Sequence, residues 1–314
     1  MAQSNFRPVV SIIIPAYNAD LYIAATLESA VNQTFRSFEV IVVDDGSTDD
    51  TKSIAQNFCD RGVTVISQSN AGPAAARNRA LSIARGEYVA LLDADDLWEP
   101  DYLQTMIGFL NSHREVSIAF SDSIFFGKSK FNGRRFQEVY PPCTPITFAK
   151  LAAQISHVCV AATIRREIFD RIGPFDDRLR AIDDFDFWLR ALHAGCRIEP
   201  VPRVLVRYRR HVSALSFEGA TNYSSGLQIL AKWRDREELG EEERQAVEKT
   251  WQEFQYELIV REALGNIHTR NFPLAREQLR QAWDRIPKWR FRATRLGLAL
   301  APEMTRLAIL AWRR

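Results

Sequence analysis

Three acidic clusters carry the side chains of this sequence that could do chemistry. Asp93-Ala94-Asp95-Asp96 places three carboxylates in four positions, and hard cations such as Mg²⁺ or Mn²⁺ bind carboxylate oxygens while keeping positions open for phosphate. A diphosphate could be bridged there. Asp44-Asp45-Gly46-Ser47-Thr48-Asp49 offers carboxylates able to accept hydrogen bonds from a nucleobase or ribose, with the Tyr17 ring as a stacking face. Asp183-Asp184 stands before Phe185, Trp188, Leu189 and Leu192, an i, i+3, i+4, i+7 pattern that predicts an amphipathic helix. Its N-terminus favours a charged carboxylate by roughly 0.3–1 kcal/mol, which would keep Asp184 ionised and able to accept a proton near pH 7.

Each cluster also has a plain structural reading. Asp95 or Asp96 could cap a helix suggested by Leu97-Trp98-Glu99-Pro100, and Thr48 or Asp49 could cap the helix after an Asp-Gly-Ser turn. Asp183 or Asp184 could be an N-cap, Asp183 being the better candidate because neighbouring helix residues point about 100° apart.

The elements that must position these residues follow from hydrophobic patterning. Val9 to Ile14 is a β-branched run closed by Pro15 and reads as a strand buried on both faces, as do Phe38 to Val43 and Tyr88 to Leu92. Helical patterns over Asp20 to Val31, about Thr48 to Asn57, and about Ala74 to Ala84 alternate with them and with a short strand at Val63 to Ser67. This alternation predicts βαβ crossovers and an α/β fold with a mostly parallel sheet flanked by helices. Ligands bind such sheets beyond the carboxyl ends of the strands. Pro15-Ala16-Tyr17-Asn18, Asp44-Asp45 and Asp93 to Asp96 all fall there.

Further strand-like runs lie at Ser117 to Phe120, Cys159 to Ile164 and Val201 to Val206, with a helix at Asp183 to Ala194. After Glu218 the sequence is charged, Leu/Ala/Trp-rich and helical, so two domains are expected, 1–217 and a C-terminal helical extension, 218–314. Leu274 to Ile286 looks like half of a helical-repeat unit.

At 314 residues, 46% apolar and 25% charged, the chain is an ordinary folded soluble protein by composition. A net charge of +2 gives no chain-wide field for nucleic acid. From Arg285 onward, however, eight basic residues face the single acidic Glu303. The tail from Trp283 to Arg314 mixes these with Trp and Leu, which suits a helix lying on an anionic membrane surface; packing on the first domain or a dimer contact is the alternative. Four scattered cysteines show no CxxC pair and read as reduced thiols. No signal peptide or apolar run of ~18 residues is present, so the expected place is the cytoplasm, with peripheral contact at the inner face of the cell membrane. No GxGxxG or GxxxxGK[ST] occurs.

Taken jointly, Ser11-Ile-Ile-Ile-Pro-Ala-Tyr-Asn18, Val42-Val-Asp-Asp-Gly-Ser-Thr-Asp49, Asn70-Ala-Gly-Pro-Ala-Ala-Ala-Arg-Asn78 and Asp93-Ala-Asp95 closely resemble the family 2 inverting glycosyltransferases, in order and spacing, over Pro8 to Ser216. The resemblance implies a GT-A fold that binds a nucleotide-diphosphate sugar. Pro15, Tyr17 and Asp45 would hold the base with Asp44 close by, and Arg77, otherwise readable as a solvated helix arginine, would lie over it. Asp93 and Asp95 would serve the ribose and the metal, Mg²⁺ or Mn²⁺.

Gly173-Pro-Phe-Asp-Asp177 followed by Asp183-Asp184 is similar to the segment that carries the family's catalytic base, which makes Asp184 the base; Asp183 stands where the family usually has Glu. Of five histidines, His211 sits in Tyr208-Arg-Arg-His-Val-Ser-Ala-Leu-Ser216, similar to a family pattern in which it would ligate the metal or touch the diphosphate. Arg209 and Arg210 could add charge near the leaving group, and His157 could face an acceptor sugar. The implied activity is transfer of a sugar, with inversion, from a UDP or dTDP sugar to a hydroxyl of a glycan or lipid-linked acceptor, as in cell-surface polysaccharide synthesis. A sugar-nucleotide nucleotidyltransferase would need a Gly-rich basic loop where this chain has Pro-Ala-Tyr-Asn; a non-catalytic nucleotide-sugar-binding protein is the other alternative.

Overall fold

The computed structural model describes residues 7–211, 219–285 and 289–312. Val212 to Ser216, Ile286, Lys288, Arg313 and Arg314 lie outside the described residues. The chain divides into two compact units, Met1–Phe217 and Glu218–Arg314.

The first unit begins with β1 (Val10–Ala16), α1 (Ile23–Val31), β2 (Phe38–Asp44), α2 (Thr51–Gln56), β3 (Val63–Ser67), α3 (Pro73–Leu81) and β4 (Tyr88–Leu91). It continues with β5 (Leu97–Trp98), α4 (Tyr102–Ser112), β6 (Val116–Gly127), α5 (Phe136–Val139), α6 (Phe148–Ala152), β7 (Ala162–Arg165), α7 (Glu167–Ile172), α8 (Asp183–His193) and β8 (Arg197–Arg210). One sheet takes the order β3-β2-β1-β4-β7-β6-β8-β5. Val10, Ile12, Ile13 and Ile14 are fully buried, as a strand covered on both faces requires.

The sheet is more mixed than expected. The β1/β2, β1/β4, β2/β3 and β6/β8 pairs are parallel, but β4/β7, β6/β7 and β5/β8 are antiparallel. Strand β7 returns against β4 with opposite sense, a non-local choice that strand composition does not encode. The helix expected from Leu97 is also corrected: Leu97 and Trp98 pair with Arg207 and Val206, and α4 starts only at Tyr102. Trp98 is buried and stacks on Tyr102 at 3.9 Å, so tertiary packing overrides the local capping signal.

Register places the acidic clusters at a common edge. Ala16 pairs with Asp44, and Ile13 with Leu91, so the ends of β1, β2 and β4 lie side by side.

The second unit holds α9 (Gly219–Arg234), α10 (Glu241–His268), α11 (Phe272–Arg285), α12 (Trp289–Leu300) and α13 (Pro302–Trp312). Tyr256, Ala263 and Ile267 of α10 pack with Ala275, Leu279 and Ala282 of α11 and Leu298 of α12. A Cβ on Gly297 would lie 2.5 Å from Thr305 Oγ1, so glycine there permits the close approach of α12 and α13. Trp283 and Ile309 pack against this core, whereas Leu296, Leu300, Met304 and Leu307 are exposed. Among the described residues no helix is long and apolar enough to cross a membrane.

Candidate active site

At the end of β1, Pro15 is partly buried and Tyr17 is 51% exposed, leaving its ring available as a stacking face. Asn18 adopts φ 46° and its Oδ1 accepts from Thr48 N at 2.9 Å, tying the β1 and β2 exits together. Asp44 is buried and accepts from Ser47 N at 3.1 Å, while Asp45 N donates to Ala16 O at 2.8 Å.

The Asp45 carboxylate has a task that the sequence reading missed. Oδ1 accepts from Gln68 Nε2 at 2.8 Å and Ala71 N at 2.9 Å, and Oδ2 accepts from Gly72 N at 2.8 Å. It therefore anchors the loop that leads into α3. Gly72, at φ 95°, forms the turn into that helix, and Pro73 occupies its first position, where a missing N–H costs nothing. The signal for this was present: Asn70-Ala-Gly-Pro is turn chemistry that needs an acceptor for its backbone N–H groups.

Arg77 is not a solvated helix arginine. It is 4% exposed; Nη1 donates to Asp183 Oδ2 at 2.6 Å and Nη2 donates to Asp93 Oδ1 at 2.7 Å. Ala74, Ala76 and Ala80 are buried, so α3 sits close enough to the sheet to carry the guanidinium inside. Small residues beside an arginine were the available clue.

The same bridge corrects the reading of Asp183 as N-cap. Ile182 holds the capping position at φ 51°, with no side-chain cap, and Asp183 is buried against Arg77. A β-branched residue in left-handed backbone is strained by about 1–3 kcal/mol and persists only where its surroundings impose it. The buried face of α8 also differs: Asp183, Asp186, Phe187, Trp188, Leu189 and Ala191 are buried, but Phe185 and Leu192 only partly. Helix α8 is wedged among α6, α7 and β8, so one stripe does not describe it.

Asp184 is partly exposed at the start of α8. Burial, and then the neighbouring Asp183 carboxylate, push its pKa up to about 7; Arg77 opposes this and Asp93 adds to it. The expectation that the helix N-terminus keeps it ionised at pH 7 is thus overturned, because desolvation outweighs the dipole. The outcome suits a proton acceptor, since a base is most effective with its pKa near the working pH. Burial likewise raises the pKa of Asp93.

Asp95 meets His211 at the end of β8, with His211 Nε2 2.8 Å from Asp95 Oδ2. Arg209 locks this pairing: its backbone N donates to Asp96 Oδ1 at 2.7 Å and its Nε to the Asp95 carbonyl at 2.7 Å. Asp96 is fully buried, chiefly for that reason carries a pKa well above the usual carboxylate range, and caps no helix. Among the described residues no three His, Cys, Asp or Glu side chains are placed to hold one metal ion. One carboxylate and one imidazole are nonetheless a fitting donor set for Mg²⁺ or Mn²⁺, which are commonly held by one or two protein ligands plus phosphate oxygens. His157 is half-buried beside the Tyr140 ring at 5.0 Å, with its pKa lowered by burial.

Comparison with known proteins gives concordant results. Residues 11–173 match the family model described as Glycosyl transferase family 2. An Escherichia coli relative, UDP-Glc:alpha-D-GlcNAc-diphosphoundecaprenol beta-1,3-glucosyltransferase WfaP, is 32% identical over 210 residues, which are 66% of this chain and 80% of that protein. The aligned stretch takes up 62% to 81% of the length of three such relatives. Among solved structures, S. aureus TarS 1-349 in complex with UDP-GlcNAc superposes with a TM-score of 0.63 at 21% identity, over 97% of this chain and 91% of that one. Mannosyltransferase PcManGT from Pyrobaculum calidifontis, in complex with GDP-Man and Mn²⁺, gives 0.60 at 22% identity, over 99% and 89%. The fold is of GT-A type.

Proposed function

The chain belongs to glycosyl transferase family 2, and from that premise we propose that it transfers a sugar, with inversion, from a nucleotide-diphosphate sugar to a hydroxyl of a glycan or lipid-linked acceptor. One observation carries the reading: Asp93 reaches the Asp184 cluster through Arg77, while Asp95, two positions on, meets His211. A proton acceptor and a cation-binding pair thus hang from one strand end. Residues 1–217 would form the catalytic domain and 218–314 a helical accessory region.

In this reading the nucleotide lies against Pro15 and Tyr17, with Asp44, Asp45 and Asp93 on the donor side. Asp184 accepts the proton of the acceptor hydroxyl as that oxygen forms a bond to the anomeric carbon from the side opposite the diphosphate. The anomeric carbon–oxygen bond to the diphosphate breaks, and configuration inverts. Charge neutralisation at the diphosphate is what Mg²⁺ or Mn²⁺ supplies when held by Asp95 and His211. Arg209, fixed on the Asp95 carbonyl, keeps positive charge on the same side.

Resemblance to the family favours a uracil base, with thymine next because both pyrimidines present the same imide edge. The names of the relatives agree with a nucleotide-sugar donor, and that of WfaP with a lipid-diphosphate acceptor. Work on such an acceptor would bring the protein to the cytoplasmic face of a membrane. The exposed Leu296, Leu300, Met304 and Leu307, in a stretch that from Arg285 onward has eight basic residues and one acidic, have the chemistry to meet an anionic lipid surface there. The test is a thermal-shift panel of nucleotide sugars with Mn²⁺, followed by donor turnover with the best binder. A stabilising UDP or dTDP sugar that is consumed, in a manner abolished in Asp184→Asn, is expected; stabilisation by none of the panel would overturn the reading.

A further inference from the structure

We propose that Arg77 is a positioning residue that sets the base for proton transfer, by tying the start of α8 to the end of β4 through paired hydrogen bonds to Asp183 and Asp93. This rests on the reading of Asp184 as the base.

The geometry has three independent parts. First, the two terminal nitrogens of one planar guanidinium reach carboxylates from different elements, at 2.6 Å and 2.7 Å, in a nearly solvent-free position. Second, the next residue grips the same segment. Asn78 Nδ2 donates to Phe175 O at 2.8 Å, and Phe175 N donates to Asn78 Oδ1 at 3.0 Å, so α3 holds the approach to α8 at two places. The Arg77 guanidinium also lies 5.7 Å from the Phe175 ring centre. Third, the strained φ of 51° at Ile182 turns Asp183 inward, and the ion pair with Arg77 is an interaction that repays that strain.

The electrostatic consequence follows from what faces Asp184. Asp183 lies on its own helix, Asp93 comes from the end of β4, and Arg77 from α3 supplies the only cation among the groups that act most strongly on it. Three carboxylates against one guanidinium leave an excess of negative charge, which holds a proton until the pH nears neutrality. Lysine would not substitute well, because a single ammonium group lacks the planar fork that spans both partners.

The experiment uses the full chain as wild type, Arg77→Gln, Arg77→Lys and Asp183→Asn. Two readouts are taken: the pH profile of kcat/KM for sugar transfer, and the carboxyl ¹³C titration of Asp184, which needs no turnover. Removing the cation should move the Asp184 midpoint and the acid limb up by about one pH unit or more, and removing the neighbouring negative charge should move both down. Arg77→Lys should fall between wild type and Arg77→Gln, with UDP affinity in the presence of Mn²⁺ lowered less than kcat. Should Arg77→Gln fail to fold, Arg77→Lys takes its place, and a midpoint at the wild-type value in that variant overturns the proposal. Midpoints that stay at the wild-type value, or that move in the same direction in both variants, overturn the proposal. A wild-type chain without transfer activity, but with the opposed midpoint shifts, would instead count against the assignment of Asp184 as base and leave the positioning of that carboxyl by Arg77 upheld.

Discussion

Replacing Asp184 by Asn should lower activity and raise stability, and the two effects have one origin. In the folded protein burial and the neighbouring carboxylates bring Asp184 up from the ordinary 3.8 to about 7. Below the lower value the group is protonated in both folded and unfolded chains and exacts no penalty. As pH rises through the interval the unfolded chain releases the proton and the folded one retains it, so stability falls until the folded group ionises as well. At about 1.4 kcal/mol per pH unit, the loss is roughly 2 kcal/mol at pH 5 and approaches roughly 4 kcal/mol at pH 8.

An uncharged amide of the same shape escapes that loss. The stability advantage of Asp184→Asn over wild type in urea unfolding should therefore grow by roughly 2 kcal/mol between pH 5 and pH 8 and level off above. Over the same range sugar transfer by the wild type should rise about tenfold per pH unit and flatten near 7, while the variant should lack that rise and fall short of the wild type by about 10²- to 10⁴-fold above pH 7. Retention of transfer within tenfold above pH 7, or a stability difference that does not change with pH, would refute the account of Asp184 as a partly buried, proton-accepting carboxylate.

Other outcomes follow from the same site. Asp45→Ala strips the acceptor from Ala71 N and Gly72 N, and should cost about 1–3 kcal/mol of stability and raise the donor KM more than it lowers kcat, as chemical unfolding and steady-state kinetics would report. Asp95→Ala should weaken binding of Mn²⁺ with UDP at least tenfold by calorimetry, and chelation with EDTA should bring the wild type down to the same level. Leu300→Glu with Met304→Glu should abolish co-sedimentation with anionic vesicles while leaving turnover of a soluble acceptor unchanged; equal sedimentation of both proteins would remove the membrane contact, and a wild-type dimer lost in the variant would make the patch a self-association surface.

The strands of the first unit were legible because a strand buried on both faces must be largely apolar, as Ile12 to Ile14 and Val40 to Val43 are. Their polar ends were legible for the complementary reason, that the chain must leave the core where such a run stops. Asp95 and His211 were linked in the sequence only through two separate patterns resembling those of one family, and the structure brings them to 2.8 Å. The Leu97-Trp98 segment was misread because its strand partner, Val206 and Arg207, lies far along the chain. Asp183 was misread for the same kind of reason: as a cap it needs only its own helix, whereas its partner Arg77 is 106 residues away.

Residue order by itself determined the strands and helices from β1 to β4, where their polar ends fall, and which carboxylates could act, since these depend on periodicity and side-chain chemistry along a few adjacent turns. Tertiary structure alone decided that Arg77 is enclosed between Asp93 and Asp183, that Asp45 anchors a loop, and that Asp184 holds its proton to about pH 7. Those outcomes are set by which distant groups share a desolvated space, and the strength of a charge interaction there depends on distance and burial that no local pattern encodes.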